Sequence, residues 1–153
     1  MQISVKLKGI EKIRERVSKT TLKEVIHKAL KRATLRYHEM IHDWIDTGKS
    51  FTPRTGFLQQ SIIFDLKSWH TGVIRAEAPY ASFVEYGTKP HKILPKNKKA
   101  LRFIKDGEEI IVKKVNHPGS KAYPFFFADM ENRKREVQKA FREDLEEWLS
   151  MLS

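Results

Sequence analysis

The chain begins by alternating. Ile3, Val5 and Leu7 are apolar, while Gln2, Ser4, Lys6 and Lys8 are polar. A period of two predicts a strand with one buried face, and Gly9 ends it. Ile10, Ile13 and Val17 then mark a short helix. A period near 3.6 follows over a much longer stretch. Leu22, Val25, Ile26, Ala29, Leu30, Ala33, Tyr37, Met40, Ile41, Trp44 and Ile45 share one helical face. Thr21 and Glu24 have the spacing of a capping box at the start of this helix, and Gly48 supplies a left-handed stop. At 1.5 Å per residue the helix is roughly 40 Å long. Tyr37, Ile41 and Trp44 are expected to be buried against a sheet.

The middle of the chain reads as short strands and turns. Pro53 and Gly56 lie in a loop, residues 61–67 and 73–77 are strands joined by a turn near Gly72, and residues 79–86 form a short helix ended by Gly87. Residues 101–105 and 109–115 make a hairpin around Asp106-Gly107, a dipeptide suited to a type I′ turn. Pro124 is placed to open a last helix with the stripe Phe127, Met130, Val137, Phe141, Leu145, Trp148 and Leu149. Trp148 is expected on its inner face. The predicted fold is α+β, a single domain over 1–153. A mostly antiparallel sheet of about five strands packs on one long N-terminal helix and a C-terminal helix.

Composition narrows the class. A chain of 153 residues with 40% hydrophobic content can build one real core. There is no cysteine, which removes disulfides and thiolate chemistry. No long uncharged apolar run predicts a membrane span, and the first residues lack the apolar core of a signal peptide.

The net charge is +11, distributed as +6 over residues 1–50, +5 over 51–100 and zero over 101–153. Lys89, Lys92, Lys96, Lys98 and Lys99 concentrate it in a basic loop at about 87–100, expected to stay mobile until it meets a neighbour. Such a loop suits nucleic acid or an acidic protein surface, but no aromatic residues alternate with the lysines to stack on bases. The acidic cluster Glu143, Asp144, Glu146 and Glu147 argues against general coating of DNA and offers the lysines a counterpart of opposite sign.

One motif suggests an enzyme. His38-Glu39-Met40-Ile41-His42 has the zinc-peptidase spacing, two histidines one turn apart with a glutamate as base. At 100° per residue the histidines fall at the border of the apolar stripe and Glu39 falls on the far side. Asp43-Trp44-Ile45-Asp46-Thr47-Gly48 supplies no third ligand downstream. The expectation is therefore no zinc, no other cofactor and no catalytic residue. His91 and His117 read as turn residues, and Glu85 as a carboxylate that bonds loop N–H groups, near Gly87-Thr88 or near His117 and Gly119.

Three short motifs occur in order. Thr55-Gly56-Phe57-Leu58 leads into Ser61-Ile62. Next comes Pro79-Tyr80-Ala81-Ser82-Phe83-Val84-Glu85-Tyr86-Gly87-Thr88. Last are His117-Pro118-Gly119 and Pro124-Phe125. Together they resemble the neck, or tail-completion, proteins that join head to tail in lambda-like tailed bacteriophages. The chain departs from that pattern at Phe127-Ala128-Asp129, where a Pro-Ala-like step is usual, and in its longer lysine-rich stretch.

The resemblance implies a structural virion or prophage protein, present in the host cytoplasm during assembly. It implies partners among other neck, head-completion or tail proteins. It also implies a ring homo-oligomer in the virion that is possible as a monomer in isolation, with DNA contact permitted but not required. The lysines of the loop are the candidate docking surface. The alternatives are a basic nucleic-acid-binding module and, less favoured, the zinc peptidase.

Overall fold

The computed structural model describes residues 1–6 and 19–151. The short helix expected around Ile10, Ile13 and Val17 lies outside the described residues. The class is α+β, with a long N-terminal helix, a C-terminal helix and antiparallel strands. The strands are divided differently from the expected single sheet. Among the described residues, seven strands form one three-stranded sheet and two two-stranded ribbons.

Helix α1 (Lys19–Asp46) has neither proline nor glycine in its 28 residues. Leu22, Ile26, Ala29, Leu30, Ala33, Tyr37, Ile41 and Ile45 are all buried, as the three-and-four spacing requires. The helix is already formed at Lys19, so Thr21 lies inside it and is not its cap. Its other end is as read from the sequence. Gly48 has φ +69°, and its N–H donates to the Ile45 carbonyl at 2.9 Å.

Strands β1 (Gln2–Lys6), β2 (Ile62–Ser68) and β3 (Thr71–Ala76) form the sheet, with β3 in the centre. Ile62 pairs with Ala76, and Phe64 with Ile74, which pairs in turn with Ile3. The turn between β2 and β3 is made by Trp69-His70, two residues before the expected place. Gly72 is a strand residue. A Cβ there would collide with Thr34 Oγ1 on α1, so the missing side chain lets helix and sheet meet. Thr34 is fully buried and donates its hydroxyl to the Leu30 carbonyl at 2.7 Å.

Helix α2 (Phe57–Gln60) is a single turn and α3 (Ala81–Tyr86) slightly more. Strand β4 (His91–Ile93) pairs with β7 (Val115–His117), and β5 (Leu101–Lys105) with β6 (Glu108–Val112). The loop at 87–100 thus contains a strand, and the strand expected at 109–115 is two, divided at Lys113-Lys114. Asp106 and Gly107 have φ of +54° and +85°, the conformation a type I′ hairpin turn demands.

Helix α4 (Met130–Ser150) begins six residues after Pro124, behind Asp129 in a left-handed conformation. Phe127 therefore precedes the helix and is not part of its stripe. The helix packs along α1 and buries Arg133, Val137, Ala140 and Asp144. Arg32 reaches across to Asp144 at 2.6 Å, and Arg36 to Glu136 at 3.4 Å. The second Asp144 oxygen is buried with no hydrogen-bond partner among the described residues. Trp148 is half-buried. Trp44 is half-buried as well, and it faces α4 and the segment before it rather than the sheet. Its indole N–H donates to the Pro124 carbonyl at 3.2 Å, and Arg133 lies 5.6 Å over its ring.

Candidate functional site: a clamped motif cluster and a basic arm

The sequence motifs converge on one end of the sheet. Ser61 joins the first to the second. Its hydroxyl donates to the Leu58 carbonyl at 2.7 Å and accepts the Ala78 N–H at 3.1 Å, while its carbonyl accepts the Glu77 N–H at 3.0 Å. Leu58 and Ala81 are buried, and Thr55, Pro79 and Tyr80 are exposed. Gly56, at φ +71°, turns the chain into α2.

Glu85 joins the second motif to the last. It is only 3% exposed, and its carboxylate accepts three successive backbone N–H groups. Oε2 takes Phe125 and Phe126, both at 2.8 Å, and Oε1 takes Phe127 at 3.1 Å. The expectation that Glu85 bonds loop N–H groups holds, but the loop is the one at Phe125, not those at Gly87 or His117.

Pro124 opens no helix: the chain bends and turns over 126–129, and α4 starts only at Met130. The three N–H groups that follow Pro124 are engaged by a residue 40 positions away. Tyr123 is held too, its N–H donating to the Val84 carbonyl at 2.8 Å.

Arg133 completes this arrangement from α4, and sequence reasoning passed over it. It is 1% exposed. One guanidinium nitrogen donates to the carbonyls of Phe125 and Phe126, each at 2.9 Å, and a second to Met40 at 3.4 Å. Tyr37 adds its phenol to the Phe126 carbonyl at 2.9 Å, and burial pushes its ionisation above the ordinary value. A signal was present in the spacing. Met130, Arg133, Val137, Ala140 and Asp144 continue one helical face, and a charged residue on such a face calls for a buried partner.

The remaining motif residues form the root of an arm. Thr88 and Ser120 exchange backbone hydrogen bonds at 3.0 and 3.1 Å, and their hydroxyls lie 3.0 Å apart. Gly87 and Gly119 flank this bridge, both at positive φ. A Cβ on Gly87 would meet the Ser120 carbonyl, and one on Gly119 the Thr88 carbonyl. Two glycines therefore let the outgoing and returning chains touch. His117 Nδ1 accepts the Gly119 N–H at 3.0 Å, and its ring stacks on His91 across the ribbon at 5.0 Å. Pro118 and Pro124 are exposed, and Phe125 is fully buried.

Beyond the root lie β4, β5, β6 and β7. Lys89, Lys92, Lys96, Lys98 and Lys99 are all exposed, and none forms an ion pair among the described residues. Beside the motif cluster is an open groove of about 340 Å³ lined by Phe51, Thr55, Phe57, Leu58, Tyr80 and Val84. Of these Phe57 and Tyr80 are exposed, as are Phe83 and Tyr86 on α3. Aromatic residues so placed match the composition of protein interfaces.

The histidine pair in α1 is arranged differently. His38 Nε2 lies 2.9 Å from the Ile62 carbonyl and 3.2 Å from His42 Nε2. A carbonyl only accepts, so His38 carries its proton on that nitrogen and points it at the sheet. Glu39 is exposed beside Arg36, at 3.8 Å. Among the described residues no group of three or more His, Cys, Asp or Glu is placed to hold a metal ion. No helix among them is long and apolar enough to cross a membrane.

Comparison with known families supplies a setting for these motifs and for the basic arm. The chain belongs to a family of bacteriophage structural proteins. The family model is described as "Bacteriophage HK97-gp10, putative tail-component", and it matches residues 6–87, more than half of the chain. The matched region holds the first motif and the second up to Gly87. No curated protein and no solved structure matches significantly.

Proposed function

We infer that this chain is a non-catalytic subunit of the head–tail connection of a tailed phage, located in the virion and docking through its basic arm. The family match supplies the phage setting. The observation that carries the docking role is the arm itself. Its five lysines are exposed without ion pairs, while its root is fastened by the Thr88–Ser120 bridge. A rigid body with a fastened, charged projection meets the demands on a part that must repeat around an axis and also bind a different ring.

Reversing Lys96, Lys98 and Lys99 to glutamate tests this reading. Exposed substitutions usually shift stability by under about 0.5 kcal/mol each, so the variant should fold. It should fail to join heads to tails in a complementation assay. Infectious particles at the wild-type yield would overturn the docking role. The same variant addresses the nucleic-acid alternative. That reading requires the purified wild type to bind duplex DNA with a steep salt dependence that the variant loses.

A further inference from the structure

We propose that the arm of one copy docks on the C-terminal end of α4 of a second copy. This deepens the subunit reading above and rests on it. Two observations lead here, one apolar and one electrostatic.

The ribbon of β5 and β6 packs chiefly on itself. An isolated two-stranded hairpin is marginally stable in water. This one is apolar on both faces. The pairing sets Leu101 with Val112 and Phe103 with Ile110 on one side, and Arg102 with Ile111 and Ile104 with Glu109 on the other. Ile104 is 77% exposed and Ile111 64%. Two strands cannot cover both faces themselves, so the arm has apolar area that only a neighbour can bury.

Charge identifies the neighbour. The arm carries lysines without ion pairs, and one surface of the same chain is its complement. At the end of α4, Glu146 and Glu147 are exposed and form no ion pair among the described residues. Next to them Leu149 and Met151 are exposed, Met151 at 72%. Asp144 takes no part, since it is buried against Arg32. Every copy thus carries both an apolar basic arm and an apolar acidic helix end. The two patches differ, so the contact can repeat head to tail, and it then builds a ring if its rotation closes. Exposed ion pairs add little affinity individually. Here they set orientation and encounter rate, and the apolar residues supply the hold.

Charge exchange tests the contact. One variant reverses the arm, Lys96, Lys98 and Lys99 to Glu. Another reverses the helix end, Glu146 and Glu147 to Lys. Circular dichroism confirms that both fold, and sedimentation velocity at low salt measures self-association. Each variant alone should associate at least about tenfold more weakly than wild type, one 1.4 kcal/mol step. An equimolar mixture should recover assembly, because each contact then joins opposite signs. A wild type that stays monomeric at its solubility limit, or a mixture that does not recover, overturns the proposal. Complementation separates its failure from that of the subunit reading. If only the arm variant abolishes infectious particles, the arm docks on another virion protein and the self-contact is wrong. If neither variant lowers the yield, the subunit reading falls too.

Discussion

Glu85 and Arg133 grip the same stretch of backbone from opposite edges. The carboxylate takes the N–H groups of Phe125, Phe126 and Phe127, and the guanidinium takes the carbonyls of Phe125 and Phe126. Both side chains are almost wholly buried. Two opposite charges therefore share a peptide segment instead of meeting directly, and the segment's own polar groups satisfy them. This arrangement ties α3, which leads into the arm, to the packed helices α1 and α4.

Removing Glu85 should be costly. Glu85→Ala leaves three N–H groups without their acceptor, each worth about 1–3 kcal/mol where burial is complete. A loss on the order of 3–5 kcal/mol is expected in urea titration, with Glu85→Gln intermediate. A loss below about 1 kcal/mol would show that the segment holds its place without the carboxylate.

Arg133→Met should destabilise by about 2–4 kcal/mol, because buried carbonyls at Phe125 and Phe126 lose the guanidinium donor and each such loss costs about 1–3 kcal/mol. Arg133→Lys should rescue little, because an ammonium lacks the planar fork. The double variant Glu85→Gln, Arg133→Met should lose less than the sum of the single losses, by about 0.5–3 kcal/mol, since both act on one segment. Strict additivity in the double-mutant cycle would rule out the shared grip.

Gly72→Ala should cost about 1–3 kcal/mol, the usual penalty of overpacking, because the new methyl meets Thr34. Thr34→Ala in the same chain should restore part of the loss by removing the Oγ1 and Cγ2 that the methyl strikes. Thermal unfolding of the four chains decides this. Equal melting temperatures for Gly72→Ala and wild type would mean that α1 and the sheet stand further apart.

His42 predicts a pH dependence. Burial lowers its pKa from the ordinary 6.5, the charge of His38 lowers it further, and Asp46 and Asp43 act in the opposite direction. The unfolded chain then binds the proton more readily than the folded one. Stability from this group is complete above pH 6.5 and is lost as pH falls through the lower folded value. His42→Gln should flatten that acid-side decline in denaturant midpoints between pH 7 and 5. An unchanged pH profile would overturn the prediction.

The arm illustrates how far the residues could be read in advance. Its hairpin was legible because Asp106-Gly107 accepts positive φ by itself, whatever surrounds it. The pairing of His91 with His117 was not, since nothing local in three residues specifies a partner 26 positions away. The five lysines were visible as a charge run. The two-sided apolar ribbon beside them appeared only once register assigned each residue a face.

The sequence alone determined what depends on near neighbours. The stripe of α1 and its stop at Gly48, the alternation of β1 and the turn of the arm all follow from spacing and from backbone freedom. The order of the motifs placed the chain among phage structural proteins before any contact was known. Tertiary structure decided the rest, through groups distant in sequence. Pro124 looked like a helix start, but the chain after it bends and turns with Glu85 holding the N–H groups of Phe125, Phe126 and Phe127, and the helix waits until Met130. Gly72 looked like a turn, and Thr34 made it a point of close approach within a strand. Arg133 drew no reading from its sequence position, and two carbonyls just ahead of its helix and one on α1 hold it in the core. A backbone hydrogen bond or a steric limit imposed across the fold outweighs local preference, because leaving a buried polar group unpaired costs more than a propensity can return.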